Sequence, residues 1–571
     1  MGQVPSVPAG MGTMPAMEAA DTGSAASMDE VADLPQYEGS NGSEPASLAP
    51  DGEPEVSDPQ GPPFSRVTGV LLVSGAALAV TAGLVLRFWT RSDLWLDEAL
   101  TVNIARQPIH ELPFYLKRDG APPLFYALLH FWIGAFGISD VAVRALAGVF
   151  AVITVPFAWM AGKRLGGTTA AWAAMLLVAS SPFAVRYATE ARMYSLVMLL
   201  VVLGYLALDR ALRAPRPGNL IAVGATAALL LYTHYWSVYL LGTTMLWLLF
   251  QAWRGSEVRF RGARAALVAA VVGCLAFLPW VPTFLYQSGH TGTPWATPAT
   301  FAAMVNAVSS FAGGSTSQGR ALGLLFFALT GLGIFGLASD RLHIEIDIRS
   351  RPHGRPLAVV VIGTLFAAVI GGLLTKSAFD ARYASVVFIP LILLVSLGFT
   401  VFKDRHVRAV ILAIAVVLGL AASVPNVITN RSQAGEVAAA IARIAKPGDV
   451  VAYCPDQLGP AVDRLLPAGR YQQVTYPRYS GPAFINWVDY AAAVHAASPS
   501  AFALHLEALA AGGHQIFIVW APAYHAFGQS CEGIVQTVQA STAYRATGLV
   551  VGDSIGFYQP MYLVRLSPTG A

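Results

Sequence analysis

From Val67 to Pro425 the sequence is a series of apolar runs, most of them about 17–25 residues long, which is the length needed to cross the hydrocarbon core of a bilayer. Eleven such runs can be placed, near 67–88, 141–161, 168–186, 192–208, 219–233, 236–252, 265–286, 319–338, 357–375, 384–402 and 409–425. Inside a bilayer the backbone must satisfy its own hydrogen bonds, so each run is expected as a helix. The expected fold is therefore an α-helical polytopic membrane protein with about 11 transmembrane helices. The connecting segments fall into two alternating classes. Those around Lys163–Arg164, Arg210–Arg216, Arg254–Arg264, Arg341–Arg355 and Lys403–Arg408 hold sixteen Lys/Arg against six Asp/Glu. The positive-inside rule places them in the cytoplasm, which puts the N-terminus inside and everything after Pro425 outside a plasma membrane.

Composition agrees with this reading. The chain is 55% hydrophobic and 12% charged, about half the charge of a soluble domain, with a mean hydropathy of +0.55. That excludes an ordinary cytosolic enzyme and a nucleic-acid binder. The charge is unevenly spread: the first 66 residues carry eleven acids and one base, Arg66. Residues 1–65 are rich in Gly, Pro, Ser and Ala and are expected to form a disordered, acidic cytoplasmic tail. They lack the basic start and apolar stretch of a signal peptide.

Two segments stand apart from the spans. Pro122–Gly137 (PPLFYALLHFWIGAFG) is short, opens with two prolines and carries His130, and counting it as a span would break the charge alternation. It reads as an interfacial helix on the outer leaflet, within an unusually long first outer loop from Trp89 to Asp140. Residues 426–571 alternate helical and strand-like stretches: helix at Glu436–Ala445, strand at Val450–Cys454, helix at Ala501–Ala511, strand at Ile516–Trp520 and a hairpin between Leu549 and Val564. This predicts a small extracytoplasmic α/β domain after a transmembrane domain of residues 66–425. Cys454 and Cys531 both fall in it and are either paired or two buried thiols; Cys274 lies within a span.

The middles of the eleven runs contain no Asp, Glu, Lys, Arg or His. Ionisable residues collect at the outer ends instead: Asp93, Asp97 and Glu98; Lys117, Arg118 and Asp119; Arg186, Glu190 and Arg192; His234; and Lys376, Asp380 and Arg382. Such a distribution suits chemistry at headgroup level on the outer face. A carboxylate at Asp97 or Glu98 (DLWLDEALTV) can act as a general base toward a hydroxyl, though two acids in the first turn of a helix need no function at all. Arg192, flanked by Glu190 and Tyr194 in ATEARMYSL, and Arg382-Tyr383 in DARYASV can clamp a phosphate, or simply anchor at the interface. His234 in YTHYW fits an aromatic interfacial belt as well as a site, and Asp119 before Gly120 fits a turn as well as a ligand. No metal, nucleotide or acyl-enzyme motif is present. An enzyme working on the outer face has no cytosolic nucleotide-sugar supply, so any activated donor would have to be lipid-linked.

The ordered series LWLDEALT, DGAPPLFYALLHFW, AVRALAGVFAVITVPFAWMAGKRLGG, ATEARMYSL, THYW and DARYASVVFIPLILL resembles the bacterial GT-C glycosyltransferases of the protein-mannosyltransferase-like and aminoarabinose-transferase-like type (family 39/83). The resemblance covers residues 67–425. It implies a GT-C fold and an inverting transfer from a polyprenyl-phosphate sugar to a hydroxyl of a cell-envelope glycan, lipid or protein. It also implies that Asp97 is the base and Glu98 positions the acceptor. Substrate contacts are implied for Lys117, Arg118, Asp119, Glu190, Arg192, Tyr194, His234, Arg382 and Tyr383. Many relatives carry His or Lys before the double proline, where this chain has Ala121, so the phosphate contact of that loop is open. An Arg-rich, Lys-poor composition (31 against 5) suits a GC-rich bacterium, and mannose or arabinofuranose donors would fit. No cofactor is expected. Asp97, Glu98, Asp119 and Glu190 could bind a divalent cation, but without paired ligand spacing metal independence is favoured. A transporter or lipid-sugar flippase is the alternative, though such proteins tend to carry ionisable residues near the midplane. A structural subunit with a decayed site is a third reading.

Overall fold

The computed structural model describes residues 64–254, 257–292, 299–341, 343–375, 379–522, 524 and 526–569. The expected tail, except for Phe64 and Ser65, and Lys376 lie outside the described residues.

The membrane part runs α1 (Arg66–Leu86), α2 (Leu96–Ala105), α3 (Leu112–Asp119), α4 (Leu124–Phe136), α5 (Asp140–Ser180), α6 (Pro182–Ala188), α7 (Tyr194–Arg213), α8 (Pro217–Thr233), α9 (Ser237–Arg254), α10 (Glu257–Leu275), α11 (Val281–His290), α12 (Phe301–Ser310), α13 (Ser317–Phe335), α14 (Arg355–Thr375), α15 (Ser385–Gly398) and α16 (Arg405–Ile428). Among the described residues, seven helical segments are long and apolar enough to cross a membrane, against the eleven spans expected. Two expected spans fall in α5, which is two helices divided at Gly166-Gly167, where Gly167 has φ +68°; the chain folds back there, so that a Cβ on Gly162 would collide with the Ala170 carbonyl. Two more, Pro217–Thr233 and Ser385–Val401, are apolar but only 17 residues long, and α9 is not among the seven. The chain is a multi-pass membrane protein.

Helix α15 (SVVFIPLILLVSLG) is buried along its whole length, hydrophobic on every face, with α5, α7, α13 and α14 around it. Its approach to α13 depends on two glycines. A Cβ on Gly398 would collide with the Leu329 carbonyl, and one on Gly333 with that of Leu394. Small residues at such crossings let helix backbones pack closely where no hydrophobic effect drives them together. A short ribbon, β1 (Gly336–Ala338) with β2 (Ile344–Ile346), follows α13.

After α16 come β3 (Asn430–Ser432), α17 (Ala434–Ile444), β4 (Val450–Cys454), α18 (Gly459–Asp463), β5 (Gln472–Thr475), α19 (Tyr490–Ala496), α20 (Pro499–Leu509), β6 (Ile516–Trp520), α21 (Ser530–Ala540), β7 (Tyr544–Val550), β8 (Phe557–Gln559) and β9 (Tyr562–Pro568). The sheet order is β5-β4-β6-β9-β7, with β5, β4 and β6 parallel and β9 antiparallel to both its neighbours. Helices α17, α20 and α21 turn helically spaced apolar residues inward, among them Val437 and Ile441, Phe502 and Leu506, and Ile534 and Val538. Cys454 and Cys531 form a disulfide joining β4 to α21. The expected Leu549–Val564 hairpin is interrupted. Strands β7 and β9 do pair, but β8 between them leaves the sheet to pair with β3 just after α16. That detour fastens the α/β part to the membrane bundle and carries Tyr558 and Gln559 toward α2.

Candidate active site

Asp97 sits in the first turn of α2, where an acid favours the helix start. Its Oδ2 accepts a hydrogen bond from Nη1 of Arg382 at 2.5 Å, with side-chain exposures of 18% and 14%. Oδ1 of Asp97 has no protein partner among the described residues. Asp380 lies 3.6 Å from Nε of Arg382 on the other side. One turn along α2, Thr101 accepts from Nη1 of Arg192 at 2.8 Å; the same nitrogen reaches Tyr126 Oη at 3.2 Å, and Tyr126 donates to Asp119 Oδ2 at 2.6 Å. Burial pushes the Asp119 carboxyl above its ordinary range, offset in part by the Arg192 charge and the Tyr126 hydroxyl. His234, the residue that ends α8, lies between the rings of Tyr194 (5.8 Å) and Tyr383 (5.6 Å). Burial, with Arg192 and Arg382 nearby, pushes its pKa down to about 3, so the imidazole is neutral at physiological pH.

Several expected site residues are placed elsewhere. Glu98 is fully buried, held by Arg144 of α5 through both carboxylate oxygens (2.7 and 2.6 Å) and by the Ala191 N–H at 3.0 Å. Burial alone would raise its pKa, but the Arg144 charge and hydrogen bonds outweigh this and lower it. Both of its oxygens are thus engaged within the protein, in contrast to the acceptor contact expected of it. Glu190 is likewise buried, paired with Arg431 (3.2 Å) and Arg186 (3.5 Å), and burial raises its pKa. Lys117 lies over the Tyr286 ring at 3.9 Å and Arg118 over Phe114 at 3.5 Å, both turned away from Asp97 by the last turn of α3.

Other residues at the site were not anticipated. Tyr126 and Arg144 lie inside sequence runs that carry the resemblance, yet only their charge or hydroxyl marks them. Arg431, Tyr558 and Gln559 come from the C-terminal part: Gln559 Oε1 accepts from the Leu96 N–H at 3.2 Å, and Tyr558 packs on Trp95 at 5.1 Å and under Arg186. Among the described residues no three His, Cys, Asp or Glu side chains come together as metal ligands.

One turn below His234, at Leu230, begins a cavity of about 550 Å³ lined by α7, α8, α9 and α14. Its walls are mostly apolar, and its far end carries Arg164, Arg213 and His353.

Residues 120–282 match the family model of the dolichyl-phosphate-mannose-protein mannosyltransferases. The fold is similar to that of ArnT from Cupriavidus metallidurans, both in the apo state (TM-score 0.52, 13% identity) and bound to undecaprenyl phosphate (TM-score 0.51, 14% identity). Each alignment covers 88% of this chain and 98% of ArnT. The chain has the GT-C fold, as seen in ArnT. The apo oligosaccharyltransferase of Archaeoglobus fulgidus also aligns, with a TM-score of 0.49, 13% identity, and 85% of this chain and 74% of that one covered. A search of curated protein sequences finds no match. Within this GT-C framework the Asp97–Arg382 cluster stands at the junction of the membrane bundle and the C-terminal sheet region.

Proposed function

We propose that this GT-C protein is an inverting glycosyltransferase that moves a sugar from a polyprenyl phosphate to an acceptor hydroxyl on the outer face of the membrane. The observation that carries this reading is the Asp97–Arg382 pair. A carboxylate with one oxygen held by a guanidinium is oriented, and its second oxygen is available to a hydroxyl. In the reaction, the acceptor oxygen attacks the anomeric carbon while Asp97 takes its proton. The bond from that carbon to the phosphate oxygen breaks, and polyprenyl phosphate leaves with the bonding electrons. Arg382 and Arg192 stabilise the departing phosphate charge, Tyr194, Tyr383 and neutral His234 wall the sugar, and Asp119 holds Tyr126 and Arg192 in place.

The mostly apolar cavity beginning at Leu230 suits a donor with a long hydrocarbon chain. The ArnT structure with undecaprenyl phosphate is a relative of the same fold with such a lipid bound. Mannose or arabinofuranose is the favoured sugar and an envelope glycan, lipid or protein the acceptor, with the N-terminus cytoplasmic, residues 426–571 outside and no metal required. Purified protein in liposomes, given radiolabelled polyprenyl-phosphate mannose or arabinofuranose and envelope extract, tests the reading. Label should move to an acceptor from one of the two donors, and transfer from neither overturns it.

A further inference from the structure

A second cavity, of about 720 Å³, opens where α2 and α3 meet the loop between β5 and α19. Its size is that of a small-ligand site. Tyr115 of α3 and Phe484 of the loop stack across the junction at 4.7 Å, making one continuous aromatic wall. Around it stand Arg118, Arg478, Asp463 and Asn486. The two sides are fixed to each other: Asn103 donates to the Ala483 carbonyl at 2.8 Å, and the Trp487 N–H donates to that of Arg118 at 3.0 Å. The cleft is thus built before any ligand arrives.

We propose that this cleft binds a saccharide, and that it holds the acceptor glycan of the transfer reaction, an extension that rests on the glycosyltransferase reading above. A sugar ring has an apolar face of C–H groups and an equator of hydroxyls. The Tyr115–Phe484 wall meets the first, and planar guanidinium, carboxylate and amide groups meet the second. Asp463, Arg478 and Asn486 also hold the surrounding chain in place, through Gln473, the Val488 carbonyl and the Val488 N–H, and a saccharide would engage their remaining donors and acceptors. The position also fits. Ile104 lines the cleft and lies seven residues beyond Asp97 on α2. Seven residues are two helical turns, so the two share a face about 10 Å apart along the axis.

The test uses the full-length protein in lipid nanodiscs, with linear mannotetraose, a linear arabinofuranosyl tetrasaccharide and a Ser/Thr-containing decapeptide as probes in saturation-transfer NMR titrations. At least one saccharide should bind, and Phe484→Ala and Arg118→Gln should each weaken it tenfold or more. Phe484→Tyr should restore binding, which a folding defect would not. Binding should persist in Asp97→Asn, so loss of the catalytic reading and loss of the cleft are separately visible. Saccharide affinity unchanged in both cleft variants, or binding of the peptide alone, or of no probe, overturns the proposal.

Discussion

Arg382 donates a hydrogen bond to Asp97 at 2.5 Å, joining the loop before α15 to the start of α2 across 285 residues of sequence. The pair places a cation and a proton acceptor side by side at the end of a bundle whose span middles carry no charge. Phosphate departure and hydroxyl deprotonation can then occur at one point.

Replacing Arg382 or Arg192 by Ala should weaken donor binding. A charge-assisted hydrogen bond contributes about 1.5–3 kcal/mol, so donor KM should rise about 10- to 150-fold in each variant. Lys at either position should rescue only part, because the planar fork is lost. Steady-state kinetics with varied donor reads this; unchanged KM in both Ala variants places the phosphate elsewhere.

Glu98→Gln leaves Arg144 buried and without its counter-charge. Breaking a buried pair in this way costs about 3–5 kcal/mol, so the variant should melt well below the parent in detergent. A normal melting temperature with a raised acceptor KM would instead put Glu98 in the site.

His234 should remain neutral across the working range. Its folded pKa of about 3 lies below the ordinary ~6.5, so the unfolded chain binds the proton first and stability rises with pH. The loss begins as pH falls through ~6.5 and is complete near the folded value. Histidine-selective NMR should show no titration of His234 between pH 5 and 8, and His234→Gln should lose less stability than the parent on acidification. A His234 signal titrating near pH 6.5 contradicts the burial.

The disulfide closes a sequence separation of 77 residues within the C-terminal sheet region. Cys454→Ser with Cys531→Ser should cost about 2–4 kcal/mol in that region and expose it to limited proteolysis while the membrane helices stay protected. Equal protease resistance with and without the bond would contradict this.

The membrane helices were legible because apolar runs leave few alternatives in a bilayer, and the outer charges were legible because the middles of the spans carry none. What sequence left open was direction. Asp97 and Glu98 are neighbours on one helix and therefore point about 100° apart; one meets Arg382 and the other meets Arg144, and adjacency does not say which. Lys117 and Arg118 precede Asp119 directly, yet only Asp119 joins the Arg192 network. Arg431 and Tyr558 carried no signal, since their partners Glu190 and Trp95 lie hundreds of residues away. The two spans expected at 141–161 and 168–186 are two helices divided by a break at Gly166-Gly167; the count exceeds seven where the helices over 219–233, 236–252 and 384–402 fall short of a full span's length or hydropathy.

The most direct measurement is single-turnover transfer by Asp97→Asn with polyprenyl-phosphate sugar bound. A positioned base contributes typically 10²–10⁴ in rate, and Asn keeps the size while removing the proton acceptor. The rate should fall by about that factor with donor affinity within a few fold of the parent. Near-full transfer by a properly inserted Asp97→Asn would contradict the assignment of Asp97 as the base.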